Sequence, residues 1–320
     1  MNNNYKLSVI IPIYRTEAYI ERCANSLFAQ ELDSIEFIFV DDCSPDNSIS
    51  RLETVIENNI EKINTYHWEV KIVKTPCNSG LPLARKYGFE QSTGDFIIHC
   101  DSDDWIDSHL YKLMYDKGKE NNADVVICDI ILTDGQQDLK RIVGCQSVDK
   151  DLFIDRMMTQ KDHWSLCNKL FRRNCYNLVH FPVGGMGEDM ALTLQLILKC
   201  KHIEYVCNAG YYYYQNPTSI THLQSKEDIL KKYYQLSDNS RIVYDFYSKN
   251  LCFDRFETKI NWLWFRSSNV LMPYIKDDDI YKLWKSHYFG KHISFLLNRD
   301  VSLLRKIRHL LILFRFPFIC

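Results

Sequence analysis

Apolar and polar positions along the first 130 or so residues switch between two periods. Leu7 to Ile13 is a continuous, largely β-branched run, the pattern of a strand buried on both faces. From Thr16 to Gln30, the residues Tyr19, Ile20, Cys23, Ala24, Leu27 and Phe28 follow a helical period, with Thr16 as the N-cap. The same reading predicts strands at Glu36–Val40, Val70–Lys74, Asp95–Cys100 and Asp124–Ile130. Helices are predicted at Asp46–Ile63, Leu81–Gln91 and Trp105–Lys119. Repeated βα units imply an α/β fold with a mostly parallel central sheet flanked by helices. After about residue 135 the alternation weakens. Trp164–Phe171 and Glu204–Tyr214 read as strands and Met190–Lys199 as a helix. From Lys226 onward the pattern is helical, aromatic and basic, so a C-terminal helical extension over 226–320 is expected to follow a larger unit over 1–225.

Parallel sheets bind ligands outside the carboxyl ends of their strands. Three polar clusters fall there: Pro12-Ile13-Tyr14-Arg15, Asp41-Asp42-Cys43-Ser44 and Asp101-Ser102-Asp103-Asp104. The last holds three carboxylates in four residues. It reads either as a site for a hard divalent cation, which takes oxygen ligands, or as a strand-to-helix cap. An EF-hand loop fits poorly, because Ile106 and Lys112 stand where that loop needs Gly and Glu. The run Gly184-Gly185-Met186-Gly187-Glu188-Asp189 is no P-loop, since no Gly-Lys-Ser/Thr follows. Its glycines suit a mobile loop. Its acidic pair either complements the next helix's N-terminus or serves chemistry.

Composition narrows the classes. Of 320 residues 46% are apolar, ample for a core, and a net charge of −2 gives no field for nucleic acid. The 12 cysteines form no C-x-x-C pair, which speaks against a zinc site and for reduced thiols in a cytoplasmic protein. No apolar stretch is long enough to span a bilayer, and the N-terminus lacks a signal-peptide pattern.

Taken in order, several motifs resemble one family. Ser8-Val9-Ile10-Ile11-Pro12-Ile13-Tyr14 is followed by Phe39-Val40-Asp41-Asp42-Cys43-Ser44, Asn78-Ser79-Gly80 and Ala84-Arg85. Gly94-Asp95-Phe96 then leads into Asp101-Ser102-Asp103-Asp104-Trp105. Over about residues 5 to 225 the chain resembles family 2 glycosyltransferases of the GT-A fold. The resemblance implies a metal-dependent, inverting enzyme. It would move a single sugar from a nucleotide sugar, most often UDP-linked, to a hydroxyl of a glycan or lipid-linked acceptor in bacterial surface-polysaccharide assembly. It implies that Asp41 reads the base, with Asp42, Pro12, Tyr14 and Glu17 lining the nucleotide pocket. Asn78, Gly80 and Arg85 would close over the donor. Asp101 and Ser102 would face the ribose side of the donor, and Asp103 would bind Mn²⁺ or Mg²⁺. Asp189 would be the catalytic base, with Glu188 orienting the acceptor. Lys169, in the N-K-L stretch, reads as a surface lysine or as a residue approaching the pocket. Gln215 stands where many relatives carry Arg, and no Q-x-x-R-W motif marks a processive synthase.

The tail Leu303–Cys320 mixes Arg305, Lys306, Arg308 and Arg315 with Leu, Ile and Phe. It suits a helix in the interface of an anionic membrane leaflet, placing the protein peripherally on the cytoplasmic side. Packing against the protein or a second subunit is the alternative. Rival functions at this level are nucleotidyl transfer on a related α/β fold and a non-catalytic sugar-nucleotide-binding scaffold.

Overall fold

The structure is a computed structural model that describes residues 5–216, 225–250, 253–287, 292–297 and 301–315. The end of the tail, 316–320, lies outside the described residues. Strands β1 (Leu7–Ile13), β2 (Ile35–Asp41), β3 (Glu69–Lys74) and β4 (Phe96–His99) form the parallel half of a nine-stranded sheet, in the order β3-β2-β1-β4. β5 (Trp105–Ile106), β6 (Val125–Thr133), β7 (Asp138–Ile142), β8 (Lys169–Arg172) and β9 (Ile203–Tyr214) complete it. The order continues β8-β6-β9-β5, with β7 beside β6. β8 runs antiparallel to both β4 and β6, while β9 is parallel to β6.

The helices alternate with these strands: α1 (Ile20–Phe28), α2 (Ser48–Asn58), α3 (Ile60–Thr65), α4 (Leu81–Glu90), α5 (Leu110–Glu120), α6 (Lys150–Met158) and α7 (Glu188–Lys199). α8 (Lys226–Ser248), α9 (Phe253–Ser267), α10 (Asp278–His287), α11 (His292–Leu297) and α12 (Leu303–Leu313) follow. Successive side chains of a strand point to opposite faces. Val9, Ile11, Phe37 and Phe39 therefore pack with α1 and α5 on one face. Ile10, Ile38 and Val40 pack with α4, α6 and α7 on the other. α8 and α9 add Tyr247 and Leu263 to that second core. They also carry Tyr233, Trp262 and Phe265 into a third cluster with Trp284, Phe295 and Ile312.

Four expectations shift, each for a local reason. Thr16 is not a side-chain cap, and the first helix starts at Ile20. The backbone N–H groups of Arg15, Thr16 and Glu17 are bound instead by Ser44 Oγ, Ser48 Oγ and Asp46 Oδ2, which holds the segment out of the helix. The helix expected over Asp46–Ile63 starts at Ser48 and is interrupted at Asn59, whose amide donates back to the Val55 carbonyl at 2.8 Å. Trp105 and Ile106 form a strand rather than a helix start, because Asp104 and Asp107 accept the N–H groups of Tyr214 and Gly210 across the ladder. Within Trp164–Phe171 only the end is strand, since Lys169 folds back onto the carbonyls of His163 and Ser165.

Candidate active site

The carboxyl edge of the parallel half gathers the expected residues. Register pairs Ile13 with Asp41 and Asp41 with Lys74, so the loops after β1, β2 and β3 emerge side by side. Pro12 is buried in β1, while Tyr14 and Asn78 face solvent. The Arg15 guanidinium lies 5.3 Å from the Tyr14 ring centre. Asp41 is buried; its carboxylate accepts from Ser44 N–H at 2.7 Å and lies 3.3 Å from Lys74 Nζ. Glu17 accepts from the Asn47 backbone and side chain, and these bonds lower its pKa. Burial would raise the neighbouring Asp46, but bonds from Ser44, Ser48 and Glu17 N–H bring it down to about 2.

Asp42 holds protein rather than solvent. It accepts from Thr75 Oγ1, from the N–H and Oγ of Ser79, and from Gly80 N–H, all at 2.8–2.9 Å. Gly80 sits at φ 83°, ψ 162°, a conformation essentially reserved for glycine, and starts α4. Asp42 thus fixes the start of the helix that carries Arg85.

Arg85 is the centre of the site. It is 1% exposed. Nη2 donates to Asp101 Oδ1 at 2.6 Å; Nη1 donates to Asp189 Oδ1 at 2.7 Å and also to Glu188 Oε1. Burial would depress its pKa, but Asp101 and Asp189 outweigh burial and hold the guanidinium charged. One buried cation thereby ties the acidic cluster after β4 to the acidic pair at the start of α7. The carboxylates differ in access. Asp189 is 35% exposed, whereas Glu188 is 4% exposed and its Oε2 has no hydrogen-bond partner among the described residues. Glu188 faces Arg85 and is buried.

The acidic loop is pinned rather than loose. Met186 N–H donates to Gln235, and Asn239 of α8 donates to the carbonyls of Gly184 and Met186. Gly187 lies at φ +78°, against Leu236. Ser102 is buried, and Asp103 is half-buried beside the Asn216 amide at 3.4 Å. Burial, with the charge of Asp101 added, raises the Asp103 pKa. Asp104 is a ladder anchor, accepting from Tyr211 Oη and Tyr214 N–H. Sequence reasoning missed Arg22, which lies 3.8 Å from the Trp105 ring centre and donates to the Asp103 carbonyl at 2.7 Å. Its partners are distant in sequence, so no local pattern marks it.

Lys169 is not at the surface. It is fully buried, its ammonium shared among the His163 and Ser165 carbonyls and Asn168 Oδ1. Burial lowers its pKa from 10.5 to about 8. Between those values the unfolded chain binds the extra proton, so stability should rise with pH. Relative to Lys169→Met, the native protein should gain roughly 3 kcal/mol across this window in urea unfolding. A flat difference between pH 7 and 10 would show that the buried amine does not titrate there.

The glycosyl transferase family 2 model matches residues 8–186. The chain belongs to that family. As a family 2 glycosyltransferase it is 27% identical over 243 residues to the uncharacterised glycosyltransferase EpsJ of Bacillus subtilis (strain 168), covering 72% of this chain and 67% of EpsJ. It is 29% identical over 214 residues to the poly(ribitol-phosphate) beta-glucosyltransferase of Bacillus spizizenii, covering 65% of this chain but only 32% of that protein. The fold matches a crystal structure of S. aureus TarS 1-349 in complex with UDP-GlcNAc at a TM-score of 0.60 and 19% identity, over 98% of this chain and 91% of that one. The GT-A architecture is therefore present. Among the described residues no helix is long and apolar enough to cross a membrane.

Proposed function

We propose that this glycosyltransferase transfers one sugar, with inversion, from a UDP-linked donor to a hydroxyl of a glycan or glycolipid acceptor in surface-polymer assembly. The observation that carries the reading is the Arg85 clasp. It sets a partly exposed carboxylate, Asp189, beside the acidic cluster at the sheet's ligand-binding edge. Asp189 would take the acceptor hydroxyl's proton as that oxygen bonds to the anomeric carbon and the bond to the nucleotide diphosphate breaks. Asp41 and the loops around Glu17 and Gly80 would receive the nucleotide. The UDP and UDP-GlcNAc complexes of TarS and the poly(ribitol-phosphate) relative favour this donor and setting.

Asp103 would hold Mn²⁺ or Mg²⁺. An all-oxygen donor set with like charges crowded together suits such a cation. Among the described residues no three His, Cys, Asp or Glu side chains form a metal cage, so donor phosphates would complete the shell. When bound, the cation would neutralise charge on the departing diphosphate. The outer face of α12 exposes Leu303, Leu304, Ile307 and Leu310, with Phe314 just beyond its end, which suits peripheral contact with an anionic leaflet. Calorimetry with UDP, GDP and CMP, each with and without Mn²⁺, tests the donor site. Mn²⁺-dependent binding of UDP that is lost in Asp103→Ala is expected. Binding that ignores Mn²⁺, or a preference for another nucleotide, would overturn the metal or the donor assignment respectively.

A further inference from the structure

The C-terminal helices, together with Thr159–Lys161 after α6, line a partly open cavity of about 660 Å³ whose lining residues do not overlap the carboxylate cluster. Four cations line it: Lys161 after α6, Arg266 at the end of α9, and Arg305 and Arg308 on α12. No carboxylate lines it among the described residues. Its walls are aromatic, with Trp262, Phe265 and Phe295 stacked in sequence. Arg266 Nη1 is buried with no hydrogen-bond partner among the described residues. Burial and the nearby charge of Arg305 lower the Arg266 pKa to about 10. Arg305 and Arg308 are exposed, so the desolvation cost falls on Arg266, and an anion bound between the three would offset it.

Two neighbouring features say what that anion is attached to. On the far side of α12, Leu303, Leu304 and Ile307 present the exposed apolar stripe. Toward the active site, a second cavity of about 290 Å³ shares Arg266 and Asn269 with the first and reaches Gly187, next to the Glu188–Asp189 pair. The site thus lies between a lipid-suited surface and the catalytic loop.

We propose that this cavity is an acceptor subsite that binds a phosphate or diphosphate group carried on an apolar chain. The arginines pair with its oxygens, the aromatic walls contact the flanking apolar or sugar moiety, and the attached glycan extends past Gly187 toward Asp189. This rests on the acceptor reading above for its direction, though not for the anion site itself.

The test uses the full chain with EDTA present, so that the metal-dependent donor site does not bind phosphates. Inorganic pyrophosphate is titrated by calorimetry into the wild type and into Arg305→Ala/Arg308→Ala, two exposed positions whose loss leaves the core intact. Sedimentation with phosphatidylglycerol and with phosphatidylcholine vesicles runs in parallel. UDP with Mn²⁺, titrated separately without EDTA, serves as the donor-site control. Pyrophosphate binding weakened at least tenfold in the variant, with UDP binding unchanged, supports the anion subsite. Loss of phosphatidylglycerol binding by the same variant supports a lipid-borne source. Pyrophosphate binding without any variant effect on vesicles keeps the subsite and overturns the lipid source. If neither ligand distinguishes variant from wild type, the proposal falls. A failure of UDP binding in the wild type would strike the donor reading alone.

Discussion

Asp189→Asn should lower kcat by about 10²–10⁴-fold while leaving the affinity for the nucleotide donor nearly unchanged. The size follows from the role: removing a positioned base forfeits proton transfer in the transition state and little ground-state binding. The substitution is a clean one here. Asparagine keeps the carbonyl oxygen that accepts from Arg85 at 2.7 Å, so the clasp survives in part and the fold is retained. Glu188→Gln is the necessary comparison, because both carboxylates bond the same Arg85 nitrogen. Glu188 is 4% exposed against 35% for Asp189, so its loss should act through stability and Arg85 placement rather than through proton transfer. Steady-state kinetics with varied donor and acceptor separate the two. A Asp189→Asn enzyme within tenfold of wild-type kcat would remove Asp189 as the base.

What could be read from the chain, and what could not, divides along contact distance. β1 and β2 were legible because strands buried on both faces must be apolar throughout, and both are buried at every position. The candidate site was legible as a set of strand-end motifs. The alternation of strands and helices brings those ends to one edge whatever the side chains do. The roles within the site were harder. Asp41 and Asp42 are neighbours of the same chemistry, yet only the structure shows that Asp42 is occupied by Thr75, Ser79 and Gly80. β5 was invisible because two strand-favouring residues are too short a run to read, and Asp104 and Asp107 bonding to β9 hold them there. Lys169 misled because lysine is almost never fully buried; its ammonium finds three oxygen acceptors that no periodicity reveals. The tail was half legible: its amphipathic pattern was clear, but His309 and Ile312 face the third core while two of its arginines line a cavity.

Arg85→Met should destabilise the protein by about 3–5 kcal/mol and abolish measurable turnover. By resemblance Arg85 would close over the donor, and in the structure it is a buried cation rather than an exposed helix residue. Its two terminal nitrogens are taken up by Asp101, Glu188 and Asp189. Removing the guanidinium leaves Glu188 buried without its cation, in a place where one carboxylate oxygen already lacks a partner. Asp101 and Asp189 retain some solvent, so most of the cost falls on Glu188. That assignment makes a further demand. Adding Glu188→Gln to Arg85→Met should restore part of the lost stability, because the uncompensated charge is gone. Arg85→Lys should fall between wild type and Arg85→Met, since a single ammonium does not reproduce the planar fork that reaches both acidic segments. Urea unfolding of the four proteins, with donor and acceptor kinetics on those that fold, gives the comparison. If Arg85→Met unfolds within about 1 kcal/mol of the wild type, the clasp is not what holds the two acidic segments together. The second acidic segment would then owe its place to α8, through Gln235 and Asn239, and the base would be positioned from the C-terminal helices instead.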